Sequence, residues 1–146
     1  MKNLIFIFLL AITIAVVGCD SNDDDQPTLL EGTKWKLAGI VDVETGNLKV
    51  LEPEDCDKCY TLTFDTKNTF TTNSASNGLS GNYKVDYEKK SIYFTNLMGT
   101  ERGELGDGNL WWSFFYLIEY FSLQENELKL YYNENFNYLF FKQVQL

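Results

Sequence analysis

Cys56-Asp57-Lys58-Cys59 holds the most reactive side chains at the closest spacing in this 146-residue chain. Two thiols three positions apart support three kinds of chemistry. They could cycle as a redox pair, which needs a helix amino terminus to stabilise the attacking thiolate; here Cys59 leads into the strand-like run Tyr60-Thr61-Leu62-Thr63-Phe64. They could hold zinc, which takes four ligands, whereas the whole chain has three cysteines and no histidine. They could close a local disulfide that braces the loop Glu52-Pro53-Glu54-Asp55 ahead of the strand. Glu52, Glu54, Asp55 and Asp57 form one crowded set of carboxylates, and Glu101, Glu104 and Asp107 a second. Either set could attract a hard cation weakly or supply an acid and a base. A glycosidase needs two carboxyl groups facing each other across a cleft, and spacing along a chain fixes no such geometry. A solvated loop accounts for both sets more simply. With no histidine, a Ser-His-Asp triad, a Cys-His pair and a zincin helix are all excluded. No catalytic residue, metal ligand or cofactor is therefore assigned.

The third cysteine has a different context. Met1-Lys2-Asn3 is a short positive stretch, followed by fourteen uncharged residues from Leu4 to Val17. A spanning helix needs about 20 apolar residues, so this run has instead the length of a secretory hydrophobic region. It ends in Val16-Val17-Gly18-Cys19, which resembles the bacterial lipoprotein box, with Val17 bulkier than the usual residue there. The resemblance implies diacylglycerol transfer to the Cys19 thiol, cleavage after Gly18, and further acylation of the new amino terminus. Each buried methylene is worth about 0.8 kcal/mol, so two or three chains make a lasting anchor. An ordinary signal peptide with an incidental cysteine is the alternative. Export to an oxidising compartment favours the disulfide for Cys56 and Cys59. So short a loop removes little unfolded-state entropy, which makes it a structural clip.

Residues 1–18 thus read as a lipoprotein signal peptide and 19–28 as the lipidated cysteine with an acidic tether, Asp20-Ser21-Asn22-Asp23-Asp24-Asp25-Gln26-Pro27-Thr28. Nine extended residues reach about 30 Å, which keeps the domain near the bilayer. The Ser-Asn-Asp-Asp-Asp run is similar to the export signal of lipoproteins displayed outside some Gram-negative outer membranes, so outward display is expected, with a periplasm-facing anchor as the alternative. Asp20, Asn22, Asp24 and Glu31 match positions of a calcium loop. However, Asp25 stands where glycine is required and Pro27 interrupts it. The net charge of -9 repels phosphate backbones, so nucleic acid is not an expected partner.

The elements that must position these groups lie in residues 29–146. Tyr60, Leu62 and Phe64 alternate with polar residues, as do Tyr83 and Val85, and Leu128, Leu130 and Tyr132. Alternation of this kind marks strands with one wet face. Turn residues separate the runs at Thr45-Gly46-Asn47, Asp65-Thr66-Lys67-Asn68, Asn77-Gly78, Tyr87-Glu88-Lys89-Lys90, Glu125-Asn126 and Asn133-Glu134-Asn135. Eight or nine short antiparallel strands follow, the pattern of a small barrel or sandwich. Residues 110–118 break the period: Leu110, Phe114 and Ile118 share a helical row, Trp111 and Phe115 lie beside it, and Asp107 or Asn109 could cap the start. A short helix closing one end of the sheet is expected, with a buried strand as the alternative. Trp112, Tyr116, Tyr131, Tyr138 and Phe140 could fall on faces away from the core, where rings stack on sugars or flat apolar ligands. Packing between sheet and helix could use the same rings.

Leu30-x-Gly32-Thr33-x-Trp35-x-Leu37, Leu62-Thr63-Phe64, Gly81-Asn82-Tyr83, Thr100 before an acidic loop, Leu128-x-Leu130-Tyr131 and Leu139-Phe140-Phe141 occur in an order that resembles the META/HslJ-like domains, in particular their lipocalin-like lipoprotein versions. The resemblance implies an all-β, barrel-like fold with one helix. It supplies no shared catalytic residue, and Gly103-Glu104-Leu105-Gly106-Asp107-Gly108 departs from the cysteine-rich loop of some members. The expectation is a non-enzymatic envelope lipoprotein, bound to the membrane through Cys19. Its domain would present a surface that includes Trp112 and Tyr116 to a protein or small ligand. The rival readings are a lipocalin-like carrier of a small hydrophobic or sugar ligand and, from another class, an enzyme using a carboxylate pair.

Overall fold

The computed structural model describes residues 29–145; the expected signal peptide, Cys19, the acidic tether and Leu146 lie outside the described residues. The elements run β1 (Thr33–Asp42), β2 (Leu48–Lys49), β3 (Thr61–Phe64), β4 (Thr69–Asn73), β5 (Gly78–Asp86), β6 (Ser91–Gly99), α1 (Gly108–Phe114), β7 (Tyr120–Gln124), β8 (Glu127–Tyr132) and β9 (Asn137–Val144), with a single 3₁₀ turn at Thr66–Asn68. Every strand pair is antiparallel, and β1 pairs with β9 to close an eight-stranded barrel to which β2 adds one extra strand. The expected all-β fold, a small antiparallel barrel of eight or nine short strands with one short helix, is the fold found.

Length explains how β1 closes the ring. Its ten residues pair with β9 along one edge, while the other edge serves β3 through residues 33–36 and β2 through Ile40 and Val41. Trp35 and Leu37 alternate inward, and the register then slips between Leu37 and Gly39. A bulge of this kind changes which side chains face the core, so Ile40 packs on the same cluster as Trp35 and Leu37. The weakest seam lies between β6 and β7. There the ladder has one residue pair, Ser91 with Tyr120, supported by Ile92 N–H to Glu119 O (3.0 Å) and Phe121 N–H to Lys90 O (2.9 Å).

An eight-stranded barrel has an interior just wide enough for side chains to fill or for one small ligand. Here side chains fill it. Trp35, Phe64, Phe70, Trp111, Phe115 and Phe141 are all essentially inaccessible. Phe115 stacks on Phe70 at 5.5 Å and meets Phe94 edge-on at 5.1 Å, and Trp111 lies edge-on to Tyr60, Phe115 and Phe141. The helix thus acts as a stopper, and Trp111 fixes its depth by donating from Nε1 to Thr72 Oγ1 at 3.1 Å.

The helix begins two residues earlier than the expected 110–118 and ends at Phe114, where a turn takes over. Its buried row is Trp111, Phe114, Phe115 and Ile118, and Leu110 is 44% exposed rather than packed. The reason is packing: Trp111 lies against Phe115 and Phe141 in the barrel core, and Leu110, one position earlier, falls on the other side of the helix. Asp107 sits at the cap position without a side-chain cap bond, because its carboxylate is engaged elsewhere. The hairpin signalled by Asn77-Gly78 is present, but Ser74 N–H bonds Asn77 O (2.8 Å) across a four-residue loop and Gly78 already belongs to β5.

Candidate functional site

The helix-capped mouth collects most of the chemically interesting residues. Three connections converge there: the loop between β2 and β3 that carries Cys56 and Cys59, the β4–β5 turn at residues 74–77, and the β6–α1 loop at residues 100–107. Cys56 and Cys59 are joined by a disulfide with their Cα atoms 5.4 Å apart. Lys36 reaches from β1 beneath this loop, and its Nζ donates to the carbonyl oxygens of Cys56 (2.6 Å) and Cys59 (2.5 Å). Burial lowers the Lys36 pKa below the usual lysine value, with the Asp57 carboxylate partly opposing it. The Cys59 sulfur lies 3.8 Å from Ala75 O, which brings the loop against the β4–β5 turn. Between these segments lies a cleft of about 480 Å³ that also reaches Lys34 and Lys58.

Glu52, Glu54, Asp55 and Asp57 all lie exposed along their loop. What anchors that loop is backbone: Glu52 O accepts from the Tyr60 hydroxyl and from Asp107 N–H (2.8 Å). Burial, reinforced by Asp107, Glu104 and Glu52, pushes the Tyr60 hydroxyl up to about 12. The second set is not the solvated loop that its sequence suggested. Asp107 accepts from Glu52 N–H (3.1 Å) and pairs with Lys49 Nζ (3.3 Å), so it ties β2 and the disulfide loop to the helix. Those hydrogen bonds, the Glu52 amide first, hold its pKa below the usual carboxylate value.

Glu104 is the hub of the mouth. Its carboxylate accepts from Ser74 Oγ (2.6 Å), Asn77 Nδ2 (2.6 Å), Trp112 Nε1 (2.9 Å) and Ser76 N–H (3.1 Å). Burial alone would raise its pKa, but these four donors together lower it. Asn77, itself buried, uses Oδ1 to accept from Thr100 Oγ1 and Arg102 N–H, both at 2.8 Å. One carboxylate therefore joins a turn, a loop and the helix. Of this second set only Glu101, exposed, matches the solvated-loop expectation, as all four carboxylates of the first set do. Neighbouring residues in sequence gave no hint of this hub, because its donors come from positions 74–77 and 112.

Trp112 and Tyr116, expected as a contact surface, are one helical turn apart but differently placed. Trp112 is half-buried and pinned by Glu104, and its ring fills the space beside Gly99, where a Cβ would come within 2.0 Å of it. Tyr116 is 72% exposed. Tyr131, Tyr138 and Phe140 lie on the outer face of β8 and β9, half-buried against one another. Among the described residues, no group of three or more His, Cys, Asp or Glu side chains is placed to hold a metal ion. Among them, too, no buried side-chain nitrogen or oxygen lacks a hydrogen-bond partner. The mouth is chemically satisfied. What it offers a partner is shape and exposed surface.

No family model matches the chain. Two solved structures share the fold. One is an NMR structure of a Burkholderia xenovorans protein, with a TM-score of 0.66 at 20% identity, covering 80% of this chain and 85% of that one. The other is a crystal structure of a DUF4847 family protein from Bacteroides vulgatus, with a TM-score of 0.60 at 12% identity, covering 79% and 94%. In sequence, the chain is 31% identical over 142 residues to a Tannerella forsythia protein named "Putative lipoprotein", an overlap that takes in 97% of this chain and 95% of the relative. With so much of both proteins aligned, the chain belongs to the family of that Tannerella forsythia protein.

Proposed function

We propose that this protein is a non-enzymatic lipoprotein of the cell envelope, anchored by acyl chains on Cys19 and displayed on the outer face of the outer membrane. Its barrel is a rigid module that engages its partner from outside. The observation that carries the binding mode is the filled interior. With Trp111 and Phe115 buried among the core aromatics of the barrel, the interior is occupied by side chains, and recognition falls to the surface. That favours an interaction domain over a lipocalin-like carrier. The two half-buried carboxylates at the mouth, Glu104 and Asp107, are bonded to their own scaffold, which supports a non-catalytic reading.

The anchor rests on Val16-Val17-Gly18-Cys19 and on kinship with a protein named as a lipoprotein. Closer kinship with META/HslJ-like domains rests on the order of the short motifs from Leu30 to Phe141. In this reading residues 1–18 are removed, 19–28 form the tether, and the domain begins at Leu29. The chain enters the barrel at the end where Gly32 N–H bonds Phe64 O, opposite the helix-capped mouth, so Tyr116 and the exposed part of Trp112 face away from the bilayer. Metabolic labelling with an alkyne-tagged fatty acid tests the anchor: label should enter the wild type and be lost in Cys19→Ala. Equal labelling of both would refute it. Digestion of intact cells tests display, since an outward-facing domain is cut before lysis and a periplasm-facing one only after.

A further inference from the structure

Arg102 is the only arginine among the 12 basic residues of the chain. It stands in the β6–α1 loop at the mouth, and one buried side chain clamps its backbone from both sides. Asn77 Oδ1 accepts from Arg102 N–H (2.8 Å), and Asn77 Nδ2 donates to Arg102 O (2.9 Å). The guanidinium is left out of this network. Arg102 is exposed and makes no ion pair among the described residues, although Glu101 and Glu104 stand within two positions of it. Glu104 is engaged instead by Ser74, Ser76, Asn77 and Trp112. One carboxylate thus fixes the Trp112 indole and the Asn77 amide and, through Asn77, the backbone of Arg102. Between them lies a cleft of about 440 Å³ whose walls include Arg102, Trp112, Glu101, Thr100 and Asn109.

A pinned backbone beneath an unpaired guanidinium suits anion recognition, because the position is set before the ligand arrives. The planar fork of arginine matches a carboxylate with two parallel bonds, which a lysine ammonium cannot do. Charge limits the anion. Glu101 is exposed in the same cleft and makes no ion pair among the described residues. One guanidinium beside one carboxylate holds a single negative charge, and the second charge of a phosphate dianion would meet Glu101 uncompensated. Trp112 sets the rest of the ligand. Its Nε1 is committed to Glu104 at 2.9 Å, so the half-buried ring offers the cleft carbon surface and no donor. An acid that fits both walls carries its carboxylate on an apolar body.

We propose that this cleft binds a monocarboxylate on an apolar body, its acid group held by Arg102 and its carbon skeleton against Trp112. The proposal rests on the reading of the mouth as the interaction surface and names the chemistry that surface recognises. A peptide C-terminus and a free small acid share that chemistry. The test is equilibrium dialysis of the full chain, purified in detergent, against radiolabelled N-acetylphenylalanine for the peptide end and phenylacetate and hexanoate for free acids. N-acetylphenylalaninamide and phenyl phosphate are the comparisons. At least one acid should bind more tightly than both. Arg102→Gln removes a charge-assisted pair and should weaken that binding about tenfold or more, while Arg102→Lys should recover part of it. The side chain of Arg102 is exposed and unpaired, so both variants keep the fold. Lys58→Gln, in the cleft beside the disulfide, should change nothing. In ¹⁵N-labelled protein the bound acid should shift the Trp112 indole N–H and leave those of the buried Trp35 and Trp111 in place. No acid held more tightly than the amide, phenyl phosphate held more tightly than every acid, or an equal loss in Lys58→Gln would each overturn the proposal. Acid binding that survives Arg102→Gln and shifts Trp111 would overturn it too, and with it the reading of the barrel as filled. Failure to bind any acid leaves that reading standing, and none of these results bears on the Cys19 anchor.

Discussion

Replacing Glu104 by glutamine keeps the size of the side chain but sets an amide donor among four groups that already donate. Hydrogen bonds to a charged acceptor contribute about 1.5–3 kcal/mol each, and donors left unpaired cost about as much. Glu104→Gln should therefore lower stability at pH 7 by about 1–3 kcal/mol in urea titrations. The pH dependence has a fixed sign. The folded pKa of Glu104 is depressed, so its contribution is present above the unfolded value of about 4.3 and is lost as pH falls through the folded one. The gap between wild type and variant should narrow as pH falls below the unfolded value, and a gap that stays constant into acid would remove the carboxylate from its role. Gly99 tests the same hub from the other side. A methyl group at that position would strike the Trp112 ring, so Gly99→Ala should cost about 1–3 kcal/mol and shift tryptophan fluorescence as Trp112 loses its place.

At the scale of elements, the stopper helix decides whether the barrel is solid or hollow. Trp111→Ala removes a fully buried ring and its bond to Thr72. Such truncations cost about 3–5 kcal/mol, and the space left lies in the barrel core. Wild type should show no uptake of a fluorescent apolar probe at neutral pH, while Trp111→Ala, if still folded by circular dichroism, should bind it. Strong uptake by wild type would revive the carrier reading. The disulfide loop is a smaller contributor. A closure spanning four residues stabilises by about 2 kcal/mol at most, so a dithiol reductant should shift the urea midpoint modestly and leave the barrel folded. Lys36 and Tyr60, which hold the loop by its carbonyl groups, account for its remaining order.

The whole molecule is polarised along the barrel axis. The chain enters at the end marked by Gly32, Phe64 and the Thr66–Asn68 turn, and the helix and disulfide loop close the other. If acyl chains on Cys19 hold the first end near the bilayer, a cysteine introduced at Tyr116 should react with a bulky maleimide faster than one at Lys67 once the protein is reconstituted in vesicles. Equal rates would mean that the tether lets the domain turn freely. Acidity follows the same separation of surfaces: most carboxylates sit on loops and turns, while the outer strand faces of β1, β8 and β9 carry lysines and rings.

Local pattern by itself determined the strand segments and the aromatic helix segment, because period-two alternation and turn residues act through neighbours a few positions away. The proposed lipidation of Cys19 likewise rests on local pattern alone, since such a signal is read in an extended chain before folding. Tertiary structure decided the rest. The packing of α1 into the barrel core chose Trp111 over Leu110 for burial, and pairing of β1 with β9, about a hundred residues apart, closed the sheet into a barrel. Glu104 shows the reason most plainly. A carboxylate in a Gly-rich acidic loop looks solvated until folding brings Ser74, Asn77 and Trp112 to it, and no short-range pattern encodes contacts between segments so far apart in the chain.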